Sequence, residues 1–392
     1  MTERSSLDGL LERRQVVICA GPGGVGKTTC AAAVALEGAR LGLRACVVTI
    51  DPAKRLGDAL GVASLSNEPR QVTLDPPAPP GGGLWALMLD TKSTFDDVVN
   101  RYAASPEQAR SILSNRLYRN ISGVLGGTQE YMAMEKLYAL HSSGSFDLIV
   151  VDTPPTRHAL DFVDAPVRLL RFLDNRVFRI LMSPTRSGLR AIGAATNLLL
   201  RAISKVVGGA VVNDAVAFFT AFEGMEQGFR DRAANVAALL SDPRTGYLVV
   251  TSPRREAVRE AIFFADRLRS SSDRVDALVA NRMFPDFGPV PPGLARALRR
   301  SPARCEGAVR SQGDAETAGE IPTKNLDDLD LEVRAANLDD FERISSKEEA
   351  HIAELAARLP STAIVRVPFL AGDVHDLKGL DEVRGWLFRR GR

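Results

Sequence analysis

The sequence has few cysteines, no long apolar run and little net charge, and each shortage excludes a class of protein. Its four cysteines, Cys19, Cys30, Cys46 and Cys305, include no C-x-x-C pair, so no zinc-clasp spacing is present. No apolar run approaches the roughly 18 to 20 residues of a membrane span, and residues 1–15 are charged, without an apolar signal core. The net charge is +2 with both signs interspersed, so the overall charge does not indicate nucleic acid as a partner, and we expect none. We therefore expect a cytoplasmic protein.

A glycine-rich loop near the start of the chain carries the strongest functional signal. Residues 16–29 read VVICAGPGGVGKTT, and Gly21, Gly26, Lys27 and Thr28 complete the pattern G-x-x-x-x-G-K-[ST]. An apolar run precedes the loop and an alanine-rich helical pattern follows it, as a strand, phosphate loop and helix require. The glycines allow backbone N–H groups to face one concavity, and the helix N-terminus adds its positive end. The pattern predicts that Lys27 reaches the β- and γ-phosphates of a nucleotide and that Thr28 ligates Mg²⁺.

Apolar runs that alternate with helical patterns predict an α/β protein with a doubly wound, mostly parallel sheet. The predicted strands are residues 16–19, 44–50, 84–90, 146–151, 246–251, 275–280 and 362–367. Residues 66–83, rich in proline and glycine, are interpreted as a surface loop. We expect one P-loop domain over residues 1–392, with a helical subdomain inserted from about 93–143 and 158–240. The acidic, polar residues 311–350 are typical of either surface helices or a partly mobile segment.

Two aspartates follow predicted strands, at the edge of a parallel sheet where ligands bind. Asp152 ends the run FDLIVVD, and a carboxylate there can hold Mg²⁺ opposite the Thr28 hydroxyl. Asp51 directly follows the run RACVVTI, where it can orient or deprotonate the attacking water. The structural alternatives are a strand-capping aspartate at 152 and a helix N-cap at 51.

Four segments together resemble the arsenite-pump ATPase family, which includes the ATPases that target tail-anchored membrane proteins. They are GPGGVGKTT (21–29), DPAKRLGDALG (51–61), GGTQEYMAMEKLYAL (126–140) and DTPPTRHAL (152–160). The resemblance covers most of the chain and implies a dimeric ATPase with ATP and Mg²⁺ as cofactors. It implies that Lys27 and Asp51 are catalytic, that Thr28 and Asp152 hold the metal, and that ATP contacts a larger set of residues. That set is Gly21, Gly23, Gly24, Val25, Gly26, Lys27, Thr28 and Thr29, with Asn281 at the adenine and Pro368 lining the base pocket through its backbone.

The sequence departs from the family pattern in three places. Pro22 stands where the family's loop usually carries a lysine that crosses to the partner subunit, and proline has neither charge nor N–H. Lys54 stands where the family has a histidine, and the cysteines match neither a zinc clasp nor a metalloid site. The main prediction is a nucleotide-driven dimer whose ATP cycle controls a helical subdomain. The alternative is a non-hydrolysing, nucleotide-binding regulatory subunit of a heteromeric ATPase complex, and arsenite transport is disfavoured.

The partner could be a hydrophobic helical client, a second copy of the chain or a paralogous ATPase. Residues 160–212 are dense in large aliphatic side chains, which either pack internally or form a groove for an apolar helix; methionines are sparse there. Residues 377–392 form an amphipathic pattern with a basic end, which we interpret as a packed terminal helix rather than a membrane contact. A membrane- or nucleic-acid-associated positioning ATPase is a third hypothesis, and GTP is disfavoured because no Asn-Lys-x-Asp segment is present.

Overall fold

The chain is described by a computed structural model. It describes residues 7–51, 55–116, 118, 128–174, 214, 217, 218, 221, 224–270, 275–285, 326–360 and 362–388. Some sequence predictions fall on residues outside this set. These residues are Lys54, Cys305, 175–213, 311–325 and 389–392. Of the helices in the described part of the chain, none has a stretch of eighteen residues apolar enough to span a bilayer.

Eight strands form one sheet at the centre of the fold. They are β1 (Val16–Ala20), β2 (Arg44–Thr49), β3 (Arg70–Val72), β4 (Gly83–Met88), β5 (Leu148–Asp152), β6 (Thr245–Thr251), β7 (Val275–Met283) and β8 (Ala363–Pro368). Their order is β3-β4-β2-β5-β1-β6-β7-β8, and the neighbours are parallel except for β3 and β4. The four central strands, β2, β5, β1 and β6, are almost continuously buried, as expected for a parallel sheet covered on both faces.

Helices cover the two faces of this sheet. They are α1 (Asp8–Leu11), α2 (Lys27–Arg40), α3 (Arg55–Leu60), α4 (Thr91–Tyr102), α5 (Pro106–Ser114), α6 (Thr128–Ser142), α7 (Thr156–Asp174), α8 (Glu226–Leu240), α9 (Arg255–Ser270), α10 (Leu326–Arg358) and α11 (Leu377–Leu387). One hydrophobic cluster packs α2, α3 and α11 on one face, and a second packs α6, α8, α9 and α10 on the other. The predicted fold class is therefore confirmed as a mostly parallel sheet with flanking helices.

A third hydrophobic cluster lies among α4 to α8, away from the sheet. Val99 of α4, Ile112 of α5, Met132 of α6 and Phe229 of α8 are among its buried side chains. Helices α6 and α8 contribute to this cluster and also to the one against the sheet. We refer to α4–α8 as the helical layer; whether it acts as the predicted subdomain stays a prediction.

The loop prediction for residues 66–83 is wrong in part, because β3 lies within it. This strand is three residues long, pairs antiparallel with β4 and buries only Val72, while Arg70 and Gln71 are exposed. An edge strand this short and polar has no apolar run that a sequence pattern could detect. Of the acidic segment, residues 326–350 belong to helix α10, and whether the segment is partly mobile stays a prediction.

The C-terminal helix α11 packs against α2. Leu380, Val383 and Leu387 are buried in the core, and Trp386 is partly buried against it. An ion pair between Arg384 and Glu37 joins the two helices. The apolar face of this helix is thus occupied by intramolecular packing, in line with the interpretation as a packed terminal helix.

Candidate functional site

The phosphate loop, residues 21–26, connects β1 to α2 and is shaped by close approaches to its neighbours. A Cβ at Gly21 would lie 1.9 Å from the Val250 carbonyl oxygen of β6, so a side chain cannot fit there. Gly26 precedes α2 with a φ of 92°, in the left-handed region that favours glycine. A Cβ at Gly26 would also lie 2.3 Å from the Asn281 amide nitrogen. The sequence therefore folds locally into a tight turn whose helix begins at Lys27.

Lys27 is buried at the start of α2, and its ammonium turns back onto the phosphate loop. Its Nζ donates a hydrogen bond to the Pro22 carbonyl oxygen at 2.8 Å. Burial lowers the pKa of this lysine, and the nearby carboxylates of Asp152 and Asp51 act in the opposite direction. The ammonium is thus held on the loop, beside the two carboxylates that the sequence analysis selected.

Asp152 lies at the end of β5, level with β1 and β2. The register pairs it with Cys19 on one side and with Thr49 on the other. Its Oδ2 accepts hydrogen bonds from Thr28 Oγ1 at 2.8 Å and from Thr49 Oγ1 at 2.9 Å. Only 1% of the residue is exposed, and this burial raises the pKa of the carboxyl group to about 6, although both hydroxyls oppose the rise.

The Thr28–Asp152 pair fits a magnesium site. The second carboxylate oxygen, Asp152 Oδ1, is buried and has no hydrogen-bond partner among the residues that the structure describes. A buried carboxylate oxygen beside a hydroxyl is the type of ligand that Mg²⁺ prefers, with nucleotide phosphates and water completing its shell. The described residues contain no cluster of three or more His, Cys, Asp or Glu side chains, which is compatible with an ion that the protein holds through one or two oxygens.

A cavity of about 590 Å³, which we term the loop cavity, lies over the phosphate loop. Its lining includes the predicted site residues Gly23, Gly24, Gly26, Lys27, Thr28, Thr29, Asp51, Asn281 and Pro368. Of the other predicted site residues, Gly21 begins the loop, Asp152 is buried and bonded to Thr28, and Val25 contributes its carbonyl oxygen to Asn281. The structure thus brings the predicted residues together, and their individual roles stay predictions.

Asp51 follows β2 and lies at the edge of the loop cavity. Its side chain is 31% exposed, and its Oδ2 lies 3.8 Å from Arg55 Nη1 at the start of α3. The carboxylate is therefore accessible to water while remaining close to the phosphate loop.

The strand β7 runs past Ala280, where the sequence pattern ended it, and this extension positions Asn281. The pairing with β8 is irregular between Asn281 and Met283. Asn281 Nδ2 donates to the Val25 carbonyl oxygen at 2.8 Å, and its Oδ1 accepts from the Arg282 backbone at 3.0 Å. In the structure the amide is therefore bonded to the phosphate loop, and the predicted contact with adenine stays a prediction.

Sequence reasoning missed two residues of this site, Thr49 and Arg282. Thr49 is the last residue of β2 and bonds Asp152, while Arg282 donates from Nη1 to the Gly24 carbonyl oxygen at 3.0 Å. Thr49 lies two residues before Asp51 and Arg282 directly follows Asn281, and this proximity at a strand end was the available signal.

Comparisons with known proteins match this chain to one family model and to several related sequences. The family model described as Anion-transporting ATPase matches residues 14–289. An uncharacterized protein of Streptomyces coelicolor is 30% identical over 291 residues, which are 72% of this chain and 66% of the relative. Putative arsenical pump-driving ATPase 1 of Aquifex aeolicus is 22% identical, with 69% of this chain and 64% of the relative covered. ATPase get3 of Schizosaccharomyces pombe is 26% identical over 43% of this chain and 49% of the relative. The match thus spans about half to two thirds of the length of these relatives.

Proposed function

The chain belongs to the anion-transporting ATPase family, and from this premise we propose that it binds ATP with Mg²⁺ in the loop cavity and hydrolyses it. One observation carries the proposal. The Thr28 hydroxyl is bonded to a buried aspartate whose other oxygen, Asp152 Oδ1, has no partner in the described part of the chain, and this pair lies beside the Lys27 ammonium. A lysine, a hydroxyl and a carboxylate at the end of a glycine-rich loop favour a nucleotide triphosphate with its metal.

Different groups of the phosphate loop and its neighbours would bind the phosphates and the metal ion. The N–H groups of residues 23–29 and the N-terminus of α2 would hold the β- and γ-phosphates. Lys27 would exchange its bond to the Pro22 carbonyl for one to a phosphate oxygen and neutralise charge that develops in the transition state. Thr28 and Asp152 would hold Mg²⁺, which supplies positive charge against the phosphate oxygens when it is bound.

Asp51 would orient the attacking water. Its carboxylate lies at the wall of the loop cavity, is partly exposed and can therefore accept a proton from a bound water. The nearby Arg55 keeps a positive charge beside this carboxylate.

Asn281 and the end of β8 would bind the base. Pro368, the last residue of β8, and Phe369 line the cavity, and Phe369 is 59% exposed. The Phe369 backbone donates to the Met283 carbonyl oxygen at 2.7 Å, which fixes this segment against β7. A planar, partly apolar wall next to an amide is a suitable environment for adenine.

We further propose that nucleotide binding changes the helical layer and the dimer that the chain forms with a second copy or a paralogous ATPase. Helix α6 supports this because it contacts both regions. Gln129 at its start donates to the Ile50 carbonyl oxygen at 3.2 Å, directly before Asp51. Glu135 on the same helix accepts from Arg232 Nε of α8 at 2.8 Å, in a buried ion pair. A displacement at Asp51 would therefore reach α8 through one rigid helix, and a hydrophobic helical client is the partner we expect.

An arsenical site is not part of the proposal. Cys19, Cys30 and Cys46 are fully buried, and burial raises the pKa of each thiol well above its ordinary value. Metal and metalloid ligation needs a thiolate, which these positions disfavour.

The second candidate is a nucleotide-binding regulatory subunit that does not hydrolyse ATP by itself. Pro22 favours it, because the loop position that faces Lys27 offers a carbonyl oxygen and neither an N–H nor a charge. In this case a different protein would supply a cation to the phosphates.

Steady-state phosphate release and equilibrium ATP binding by the purified chain test both candidates. Lys27→Ala is the blank, and Lys92→Ala, an exposed lysine paired with Asp96 in the helical layer, is the matched control. Release that Lys27→Ala abolishes and Lys92→Ala preserves supports the ATPase. ATP binding without release supports the regulatory subunit, and no ATP binding refutes both. Light scattering with and without ATP measures the proposed change in the dimer.

A further inference from the structure

Arg282 has a backbone conformation that side chains rarely adopt. Its φ is 61°, the one positive value at a non-glycine residue among those described, and it lies where the β7–β8 pairing becomes irregular. Such a conformation is strained for a residue with a side chain and persists where the surrounding structure imposes it. The residue lines the loop cavity and is exposed, so core packing does not account for it.

The guanidinium of Arg282 is one of three side-chain groups that each bond a different carbonyl of the phosphate loop. Lys27 bonds the Pro22 carbonyl, Arg282 bonds the Gly24 carbonyl and Asn281 bonds the Val25 carbonyl, at 2.8, 3.0 and 2.8 Å. In a trans peptide the N–H points opposite to the C=O. Each of these bonds therefore also fixes the direction of the next residue's N–H, at Gly23, Val25 and Gly26 respectively.

The Arg282 guanidinium also places a positive charge beside a phosphate loop that has few positive charges of its own. Pro22 contributes neither charge nor N–H, and Lys27 is the one cation within the loop and the first turn of α2. The Arg282 guanidinium lies directly beside the loop, since its Nη1 is 3.0 Å from the Gly24 carbonyl oxygen. A cation at this distance attracts an anion in proportion to the anion's charge.

We propose that Arg282 is a positioning residue for nucleotide phosphates: it fixes the Val25 N–H through the Gly24 carbonyl and adds a positive charge beside the loop. The inference rests on the proposed function and goes further, because it assigns phosphate affinity to a residue outside the glycine-rich motif. It requires the contribution of Arg282 to grow with the number of phosphates on the ligand. A residue that contacted only the base or stabilised the fold would contribute equally to every nucleotide.

Three variants separate the backbone, the hydrogen bond and the charge. Arg282→Gly removes the side chain but is compatible with the left-handed backbone. Arg282→Gln keeps a hydrogen-bond donor without the charge. Arg282→Lys keeps the charge without the planar guanidinium group. Arg110→Gln, an exposed arginine of α5 paired with Glu107, is the control for loss of one positive charge. Dissociation constants of AMP, ADP and ATP are measured by titration calorimetry for each, with thermal unfolding as the test of folding.

We expect Arg282→Gly to weaken ATP binding about tenfold, ADP less and AMP least, because a charge-assisted hydrogen bond contributes about 1.5 kcal/mol. Arg282→Lys should recover most of the ATP affinity and Arg282→Gln only part of it, while Arg110→Gln should match the wild type. Equal losses for AMP and ATP, or unchanged ATP affinity in a folded Arg282→Gly protein, would overturn the inference alone. A wild type that binds no ATP would overturn the proposed function and this inference together.

Discussion

Replacing Asp152 by asparagine should stabilise the nucleotide-free protein while removing its response to magnesium. The carboxylate is buried, and a pKa of about 6 in the native protein, against an ordinary value of 3.8, corresponds to about 3 kcal/mol of destabilisation at neutral pH. Asparagine keeps an oxygen that can accept from Thr28 and Thr49, and it carries no charge to desolvate. The gain in the free energy of unfolding should therefore be about 3 kcal/mol near pH 7.5.

The pH dependence of this gain identifies its cause. A carboxyl group whose native pKa is raised destabilises the fold fully above that pKa and has no effect below the unfolded value. The advantage of Asp152→Asn should therefore fall to about half near pH 5 and vanish below the ordinary pKa of 3.8. Urea unfolding of both proteins with a chelator and without nucleotide measures it. A variant that is less stable than the wild type, or a gain that does not change with pH, would refute the reasoning.

Asp147→Asn provides a control of opposite sign. Hydrogen bonds from Arg44 lower the pKa of Asp147, so its carboxylate stabilises the native state above the ordinary pKa. This variant should lose stability at neutral pH, and the loss should disappear as the pH falls through the lowered native value. ATP with Mg²⁺ should raise the unfolding midpoint of the wild type and of Asp147→Asn, but not that of Asp152→Asn.

Three further substitutions test other parts of the site. Asp51→Asn should preserve ATP binding and lower the turnover number by about 10² or more, and unchanged turnover would remove its assignment as the residue that activates water. Thr49→Val should cost about 1 kcal/mol in urea unfolding through the lost hydrogen bond to the buried aspartate, and no cost would show that this bond is dispensable. Gly21→Ala should prevent folding, judged by circular dichroism, because its Cβ would overlap the Val250 carbonyl oxygen; Gly385→Ala, in open space on α11, should fold and gain up to about 1 kcal/mol.

The parts of the site that could be predicted from sequence are those whose geometry is local. The phosphate loop is a continuous motif in which Gly21 and Gly26 set the turn and Lys27 begins the helix, so the sequence specifies it directly. Asp51 and Asp152 were found because the ends of parallel strands meet at one edge of the sheet. Each of these inferences needed only the chain on either side of the residue.

The features that the sequence analysis did not predict depend on which strands are neighbours in the sheet. Thr49 bonds Asp152 because β2 lies beside β5, a pairing across 103 residues that no local pattern contains. Arg282 reaches Gly24 because β7 continues beyond Ala280 and its pairing with β8 becomes irregular there. The edge strand β3 was missed because it buries a single residue. Strand order and register are set by packing of the whole chain, and they were not available from periodicity.

The helical layer is built from the two long connections that leave β4 and β5 and return to the sheet at β5 and β6. It has a hydrophobic cluster of its own, while the phosphate loop, Asp51 and Arg282 lie outside both connections. Side chains of α4, α5 and most of α7 could therefore change during evolution without altering the proposed nucleotide site, provided that the α6 contacts at Gln129 and Glu135 are kept. The architecture is in this sense modular: the surface of the helical layer can diverge while the phosphate loop and the strand ends around it are kept.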